Sequence, residues 1–333
     1  MNARNLIYIL LFSLFLPPLI GKCQQKDSTY FKKENAPGVK KILIDGKFWV
    51  WTQKIGDGKI NILLLHGGPA ITHENFEIFA KYLPRHGITI YYYDQFGSYF
   101  SQEPTKEQLN DTSIWKVSRY VNEIEQVRKG LGLDKFFIYG HSYGALLALA
   151  YTYRYPDNVK GMIFSDMNPS QRDFGERYTL ASKQTDGLLN ELKQYHSIIQ
   201  NKAQGINYDT NLYQKAFDST FERNFVVRLD TLPDYIVRTK AHKNFEIARK
   251  IGPSTFSLDY TAMVSQVKVP VLLIAGQYDF IISSEQVKAL SVKFPNAQWY
   301  IVPDAAHMCF SDNPEMYFPV IIKFIKKNSR SIE

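Results

Sequence analysis

Only two cysteines, Cys23 and Cys309, occur in the 333 residues, so a disulfide framework is excluded and the fold must be held by its core. The chain also lacks a long apolar run. Its most hydrophobic stretch, Leu6 to Leu16, is too short to span a bilayer and is broken by Pro17-Pro18. There is no Gly-x-x-x-x-Gly-Lys phosphate loop, no dinucleotide fingerprint and no His/Cys/Glu cluster at metal-ligand spacing, so neither a cofactor nor a metal is expected. Internal repeats and low-complexity tracts are missing, which sets solenoid architectures aside. The formal charge of +8 comes without a basic stripe interleaved with aromatics. Its densest group, Lys323, Lys326 and Lys327, reads as solvated surface, and no nucleic-acid partner is expected. What remains is an ordinary globular composition, 45% hydrophobic and 22% charged, enough to bury one large core.

The amino-terminal segment reads as an export signal covering residues 1–23. Arg4 precedes the apolar run, and the segment Pro17-Pro18-Leu19-Ile20-Gly21-Lys22-Cys23 and a polar stretch follow. Cys23 sits where a bacterial lipoprotein carries its acylated cysteine, although Lys22 stands where a small residue is usual. The expected location is outside the cytoplasm: periplasmic, secreted, or membrane-anchored through Cys23, the only membrane contact foreseen.

Beyond the leader, Lys41–Ile44 and Phe48–Gln53 read as a hairpin joined at Asp45-Gly46. Asn61–Leu65, Ile88–Tyr93, Phe136–Tyr139, Met162–Phe164 and Val269–Ala275 are near-continuous apolar runs, the signature of parallel strands buried on both faces. Helical segments alternate with them. In the clearest, Val117, Tyr120, Val121, Ile124, Val127 and Leu131 share a face that ends at Gly130 and Gly132. The expectation is an α/β fold with a mostly parallel, doubly wound sheet. The alternation stops after Asp166 and resumes at Val269, so residues 168–262 are read as an inserted helical cap between the two parts of the core, 24–167 and 263–333.

Gly140-His141-Ser142-Tyr143-Gly144 matches the G-x-S-x-G elbow. It lies between a buried strand and a small-residue helix, Ala145–Ala150, which is the setting that lifts a serine hydroxyl above a sheet edge. A hydroxyl is a weak nucleophile and needs a base, and the base needs an acid, in chain order Ser, Asp/Glu, His for this fold. Asp279 follows the strand ending at Ala275, and His307 follows a strand over Trp299–Val302, which completes the order. Asp166, also at a strand end, is the rival acid. Acyl transfer further needs two amide N–H groups aimed at the oxyanion; Gly68, in the turn His66-Gly67-Gly68-Pro69, and Tyr143 are expected to supply them. The candidate catalytic set is therefore Ser142, Asp279 and His307, with Gly68 and Tyr143 as oxyanion donors.

With these motifs in place, nearly the whole chain after the leader resembles the proline iminopeptidase family of α/β-hydrolases. His66-Gly67-Gly68-Pro69 with His73 resembles that family's HGGPG turn and following His, and Asp94-Gln95-Phe96-Gly97 through Ser101 is similar to its DQxGxGxS segment. Gly252-Pro253 and Phe256 resemble the end of its cap. Departures are local. Ala70 stands for the last Gly of HGGPG, and Tyr99 with Phe100 for a Gly-Arg pair. Where the resemblance implies carboxylates that hold the substrate's free amine, this chain has Thr255 and Phe280. A buried ammonium without a counter-charge costs several kcal/mol, so Glu222 or Glu176 in the cap would have to substitute.

Three readings follow. One is an aminopeptidase that removes N-terminal residues, proline among them, from short peptides. Another is a carboxylesterase of small apolar acyl compounds, to which Thr255, Phe280 and the rings of Tyr99, Phe100 and Tyr143 point. The third is a non-catalytic binder on a hydrolase fold. The complete Ser, Asp, His series favours the enzymes and a small-molecule or short-peptide substrate.

Overall fold

The computed structural model describes residues 34–171, 233–256, 258–279 and 281–329. The leader with Cys23, most of the predicted cap with Glu176 and Glu222, and Phe280 lie outside the described residues.

Eight strands form one sheet in the order β1-β2-β4-β3-β5-β6-β7-β8. They are β1 (Val39–Ile44), β2 (Phe48–Ile55), β3 (Ile60–Leu65), β4 (Ile88–Asp94), β5 (Phe136–His141), β6 (Val159–Ser165), β7 (Val271–Gly276) and β8 (Ala297–Val302). β1 and β2 make the expected antiparallel hairpin, β2 joins β4 antiparallel, and every later pairing is parallel. The longer helices are α1 (Val117–Leu131), α2 (Tyr143–Arg154), α3 (Asp234–Ala241), α4 (Phe245–Phe256), α5 (Ser284–Ser291) and α6 (Pro314–Ser329).

Alternation along the strands sends side chains into two separate cores. In β5, Phe136 and Ile138 join a cluster with Val121 and Ile124 of α1 and Leu146 and Leu149 of α2. Phe137 and Tyr139 point the other way, toward Phe79, Phe310 and Ile321 and Phe324 of α6. A strand buried on both faces has no reason to alternate in polarity, which is why these segments read as unbroken apolar runs. α1 buries the face its spacing predicts, and Gly132, at φ 69°, closes it with an N–H to Lys129 O.

β6 and β7 are adjacent and parallel although the chain leaves the sheet at Ser165 and returns at Val271. In the described part of that excursion, α3 and α4 rest on the core. Arg238 of α3 pairs with buried Glu74 (Nε to Oε1, 2.9 Å) and with Glu77, while His242 Nδ1 lies 2.7 Å from Glu74 Oε2. Asn244 N donates to Ala70 O at 3.0 Å, which sets α4 over the Gly67–Ala70 turn. Among the described residues no helix is long and apolar enough to cross a membrane.

Candidate active site

β5 delivers the chain into a turn at Ser142 (φ 55°, ψ −128°), and α2 begins at the next residue. A non-glycine residue held at positive φ costs of order 1–3 kcal/mol. Here Ser142 N donates to Ser165 O (3.0 Å) and Ala145 N to Ser142 O (2.8 Å), which fix the bend. Gly144 is required by proximity, because a Cβ there would collide with the carbonyl oxygens of Leu65 and His66. Backbone-to-backbone packing between β3 and α2 brings Gly67 against the serine: a Cβ on Gly67 would lie 2.8 Å from His141 O and 2.9 Å from Ser142 Cβ.

The turn after β3 is locked from the next strand. Gln95 N donates to His66 Nε2 (3.0 Å) and Gln95 Nε2 to His66 O (2.8 Å), which assigns the ring proton to Nδ1, facing Gly67 O at 3.2 Å. Burial pushes His66 down to about 4, so the ring stays neutral and can accept. Gly68 follows at φ 109°, with a cis bond to Pro69. Tyr143, the other expected donor, is the first residue of α2, where amide N–H groups have no intrahelical acceptor. Its ring is buried among core side chains.

Asp279 stands in the turn after β7 and accepts the N–H of Ile281 at 2.7 Å. His307, in the turn after β8, presents Nδ1 at 3.2 Å from both Asp279 oxygens. Both side chains are buried. Desolvation raises Asp279 to about 7 and lowers His307 to about 4, opposing charge on either partner. His141 Nε2 donates to His307 O at 2.8 Å, anchoring the loop that carries the imidazole. Burial keeps the His141 ring well below its ordinary range. The three predicted loops, after β5, β7 and β8, thus meet at the carboxyl end of the parallel strands, where sheets of this kind assemble their sites.

The predicted substrate contacts come out differently. Thr255 is buried on α4, and its hydroxyl donates to Ile251 O at 3.3 Å, so the helix backbone uses the group. Tyr99 stacks on Phe100 (4.0 Å) and on His242 (4.2 Å). It lines a cavity of 730 Å³ with Trp49 and Glu103, but none of Ser142, Asp279 or His307 borders that space. Phe100 lines that same cavity although most of its ring packs into the core, and Tyr143, expected as a pocket wall, is buried in the other core.

Three positioning contacts were missed by sequence reasoning. The Asp94 carboxylate receives His73 N (2.7 Å) and faces His73 Nδ1 (2.9 Å), tying β4 to the turn before Phe76. Glu123 of α1 accepts Phe96 N (3.0 Å) and the Tyr93 hydroxyl, while Arg119 pairs with it and lies over the rings of Phe48, Phe96 and Tyr120. Glu74 was unremarked because its partners, Arg238 and His242, lie more than 160 residues away. Only Asp94, at a strand end within the Asp-Gln segment, carried a signal.

Asp166 also reaches this site. Asp166, Asp279 and His307 form the one group among the described residues close enough to share a metal ion, with ligand atoms within 4.8 Å of one another. Protein donors already engage the carboxyl oxygens: Gly276 N on Asp166 Oδ1, Ser165 Oγ and Cys309 Sγ on Asp166 Oδ2, and Ile281 N on Asp279 Oδ1. The set is therefore a hydrogen-bonding site rather than an open ligand cage.

A nucleophile elbow at the end of a parallel strand, with an acid and a histidine on later strand ends, defines the α/β-hydrolase class, and this chain belongs to the alpha/beta hydrolase fold family, matched over residues 60–314. Within that class it belongs to the proline iminopeptidase family. It is 32% identical over 294 residues to the proline iminopeptidase of Elizabethkingia meningoseptica (84% of this chain, 95% of the relative). It is 31% identical over 293 residues to that of Flavobacterium johnsoniae (84% and 94%). Among solved structures, the proline iminopeptidase of Mycobacterium smegmatis superposes with a TM-score of 0.75 at 18% identity, covering 89% of this chain and all of that one. An esterase from Thermogutta terrifontis superposes at 0.65 and 18%, covering 87% and 98%. The protein is a hydrolase.

Proposed function

We propose that this hydrolase is a serine aminopeptidase that releases N-terminal residues, proline among them, from short peptides through an acyl-enzyme. The observation that carries the mechanism is the imidazole of His307, held by both oxygens of Asp279 in the same site as the strained Ser142 turn. In this reading Ser142 Oγ attacks the carbonyl carbon while His307 Nε2 takes its proton. Asp279 fixes the tautomer with the hydrogen on Nδ1 and offsets the charge that develops on the ring. The amides of Gly68 and Tyr143 receive the oxyanion, each such donor being worth about 2.7–4 kcal/mol in the transition state. His307 then returns the proton to the leaving amine, and water repeats the sequence to free the acid.

The substrate assignment rests on likeness to the curated proline iminopeptidases over more than four-fifths of the chain. A free N-terminus entering this site needs an anion, which we assign to Glu222, with Glu176 as its alternative. The competing reading, an esterase of small apolar acyl groups, draws on Thr255, whose hydroxyl is already bonded to Ile251 O where a carboxylate was called for. Parallel turnover of a proline arylamide and of short-chain aryl esters separates the two. Arylamide cleavage that requires Ser142 supports the aminopeptidase; strong ester turnover with no arylamide cleavage defeats it.

A further inference from the structure

Two carboxyl groups, rather than one, close the end of the sheet beside His307. Asp166 leaves β6 at φ 56°, its N–H bonded to Ile274 O (2.9 Å) and its Oδ1 accepting Gly276 N (3.0 Å), so it is stitched to the strand that carries Asp279. Its carboxyl, that of Asp279 and the His307 ring each place an atom within 4.8 Å of the other two. Two carboxyls this close in a water-excluded site cannot both stay charged, so one of them holds a proton that it can share with the other. The surroundings decide which oxygen pair stays ionised. Asp279 takes the amide of Ile281 and faces the imidazole whose positive charge it must meet. Asp166 lies deeper, and burial together with the neighbouring Asp279 charge raises it well above the usual carboxylate range.

We infer that Asp166 is a positioning residue for the triad: it keeps its proton at neutral pH, donates it in a hydrogen bond to Asp279, and so pins Asp279 against His307. The inference rests on the triad reading above. Titratable groups facing Asp166 come from every element packed on it: Asp279 after β7, His307 and Cys309 after β8, His141 and Tyr139 on β5, and Tyr317 on α6. Burial holds His141, Tyr139, Tyr317 and Cys309 in their uncharged forms, which leaves Asp279, and His307 while it carries the serine proton, as the partners whose charge Asp166 meets.

Asp166→Asn and Asp166→Leu test this. Asn keeps an acceptor for Gly276 N and offers an N–H to Asp279, so kcat should stay within about threefold of wild type and the acid limb of kcat/KM should not move. Leu keeps the volume but removes the donor, so kcat should fall on the order of 10- to 100-fold at little-changed KM, with the acid limb displaced upward by about one pH unit. If Asn instead lowers the acid limb by about one unit, Asp166 carried a charge and the inference is wrong. It is equally wrong if Leu and Asn behave alike. Infrared spectroscopy gives a reading that needs no turnover: at pH 7 the difference spectrum of wild type minus Asp166→Asn should show a positive protonated-carboxyl C=O band. Its absence from that difference overturns the proposal even if the Leu variant fails to fold. Ser142→Ala is assayed alongside. Retained turnover there would defeat the triad reading, while the infrared band still decides the state of Asp166.

Discussion

Acidification from pH 6.5 to pH 5 should destabilise the fold by about 1 kcal/mol, the small difference between three buried histidines and two buried acids. His66, His141 and His307 are all lowered by burial. Below their unfolded value of 6.5, the unfolded chain binds three protons that the native state refuses, and stability drops as pH falls. Asp166 and Asp279 act in the opposite sense. Their native values are raised, so between about 4 and about 7 the folded state holds protons that the unfolded chain has released. Their contribution therefore grows as pH falls and cancels two of the three histidines. Because the unfolded histidines are only half protonated at pH 6.5, the net uptake averages about half a proton over 1.5 pH units, and at about 1.36 kcal/mol per unit this gives about 1 kcal/mol. Urea unfolding at the two pH values measures it, with an unchanged m-value as the check that the two-state comparison holds. Asp166→Asn removes one of the cancelling acids and should roughly triple the difference, to about 3 kcal/mol. Stability that is flat, or higher at pH 5, would refute the claim that these imidazoles are buried and neutral.

Gly67→Ala places a methyl group against His141 O and Ser142 Cβ, both fixed by the elbow. It should cut kcat on the order of 100-fold while thermal unfolding shifts only modestly, read by arylamide kinetics beside a melting curve. Asp279→Asn should lower kcat by about 10⁴-fold, because an amide facing Nδ1 favours the wrong imidazole tautomer; the pH-independent rate plateau reads the loss. Glu222→Gln should raise KM for the proline arylamide at least tenfold and leave aryl-ester KM unchanged, since only the arylamide brings an ammonium. For localisation we propose export, so cell fractionation with intact-mass measurement should find mature protein outside the cytoplasm without residues 1–22 and beginning at an acylated Cys23, or cut nearby without lipid. Full-length protein confined to the cytoplasm would end that reading.

The sheet was legible because its strands are buried on both faces. The apolar runs at Asn61–Leu65 and Phe136–Tyr139 fall inside β3 and β5, with ends corrected by one or two residues. The elbow was legible because a strained serine turn imposes glycines at fixed offsets, and Asp279 and His307 because chain order restricts where they can stand. What the residues could not convey was contact through space. The choice between Asp166 and Asp279 was posed as one acid or the other, yet parallel pairing of β6 with β7 sets both strand ends side by side and brings both carboxyls within 4.8 Å of His307. Arg119 with Glu123, and Glu74 with Arg238, carried no local signal; their pairing depends on helix placement, which no local pattern encodes. The same limit put Tyr143 in a pocket wall and left open that the cavity lined by Tyr99 and Phe100 is not bordered by Ser142, since an aromatic ring beside a motif reads alike whether it faces substrate or core.

The account turns on Ser142 acting as an activated nucleophile, and covalent labelling with a fluorophosphonate followed by peptide mass analysis tests that directly. The expected result is one adduct per chain, on Ser142, formed by folded protein and abolished by Ser142→Ala, by Asp279→Asn at short times, and by prior unfolding. Folded wild-type protein that stays unlabelled, or that is labelled equally after Ser142→Ala, would contradict it.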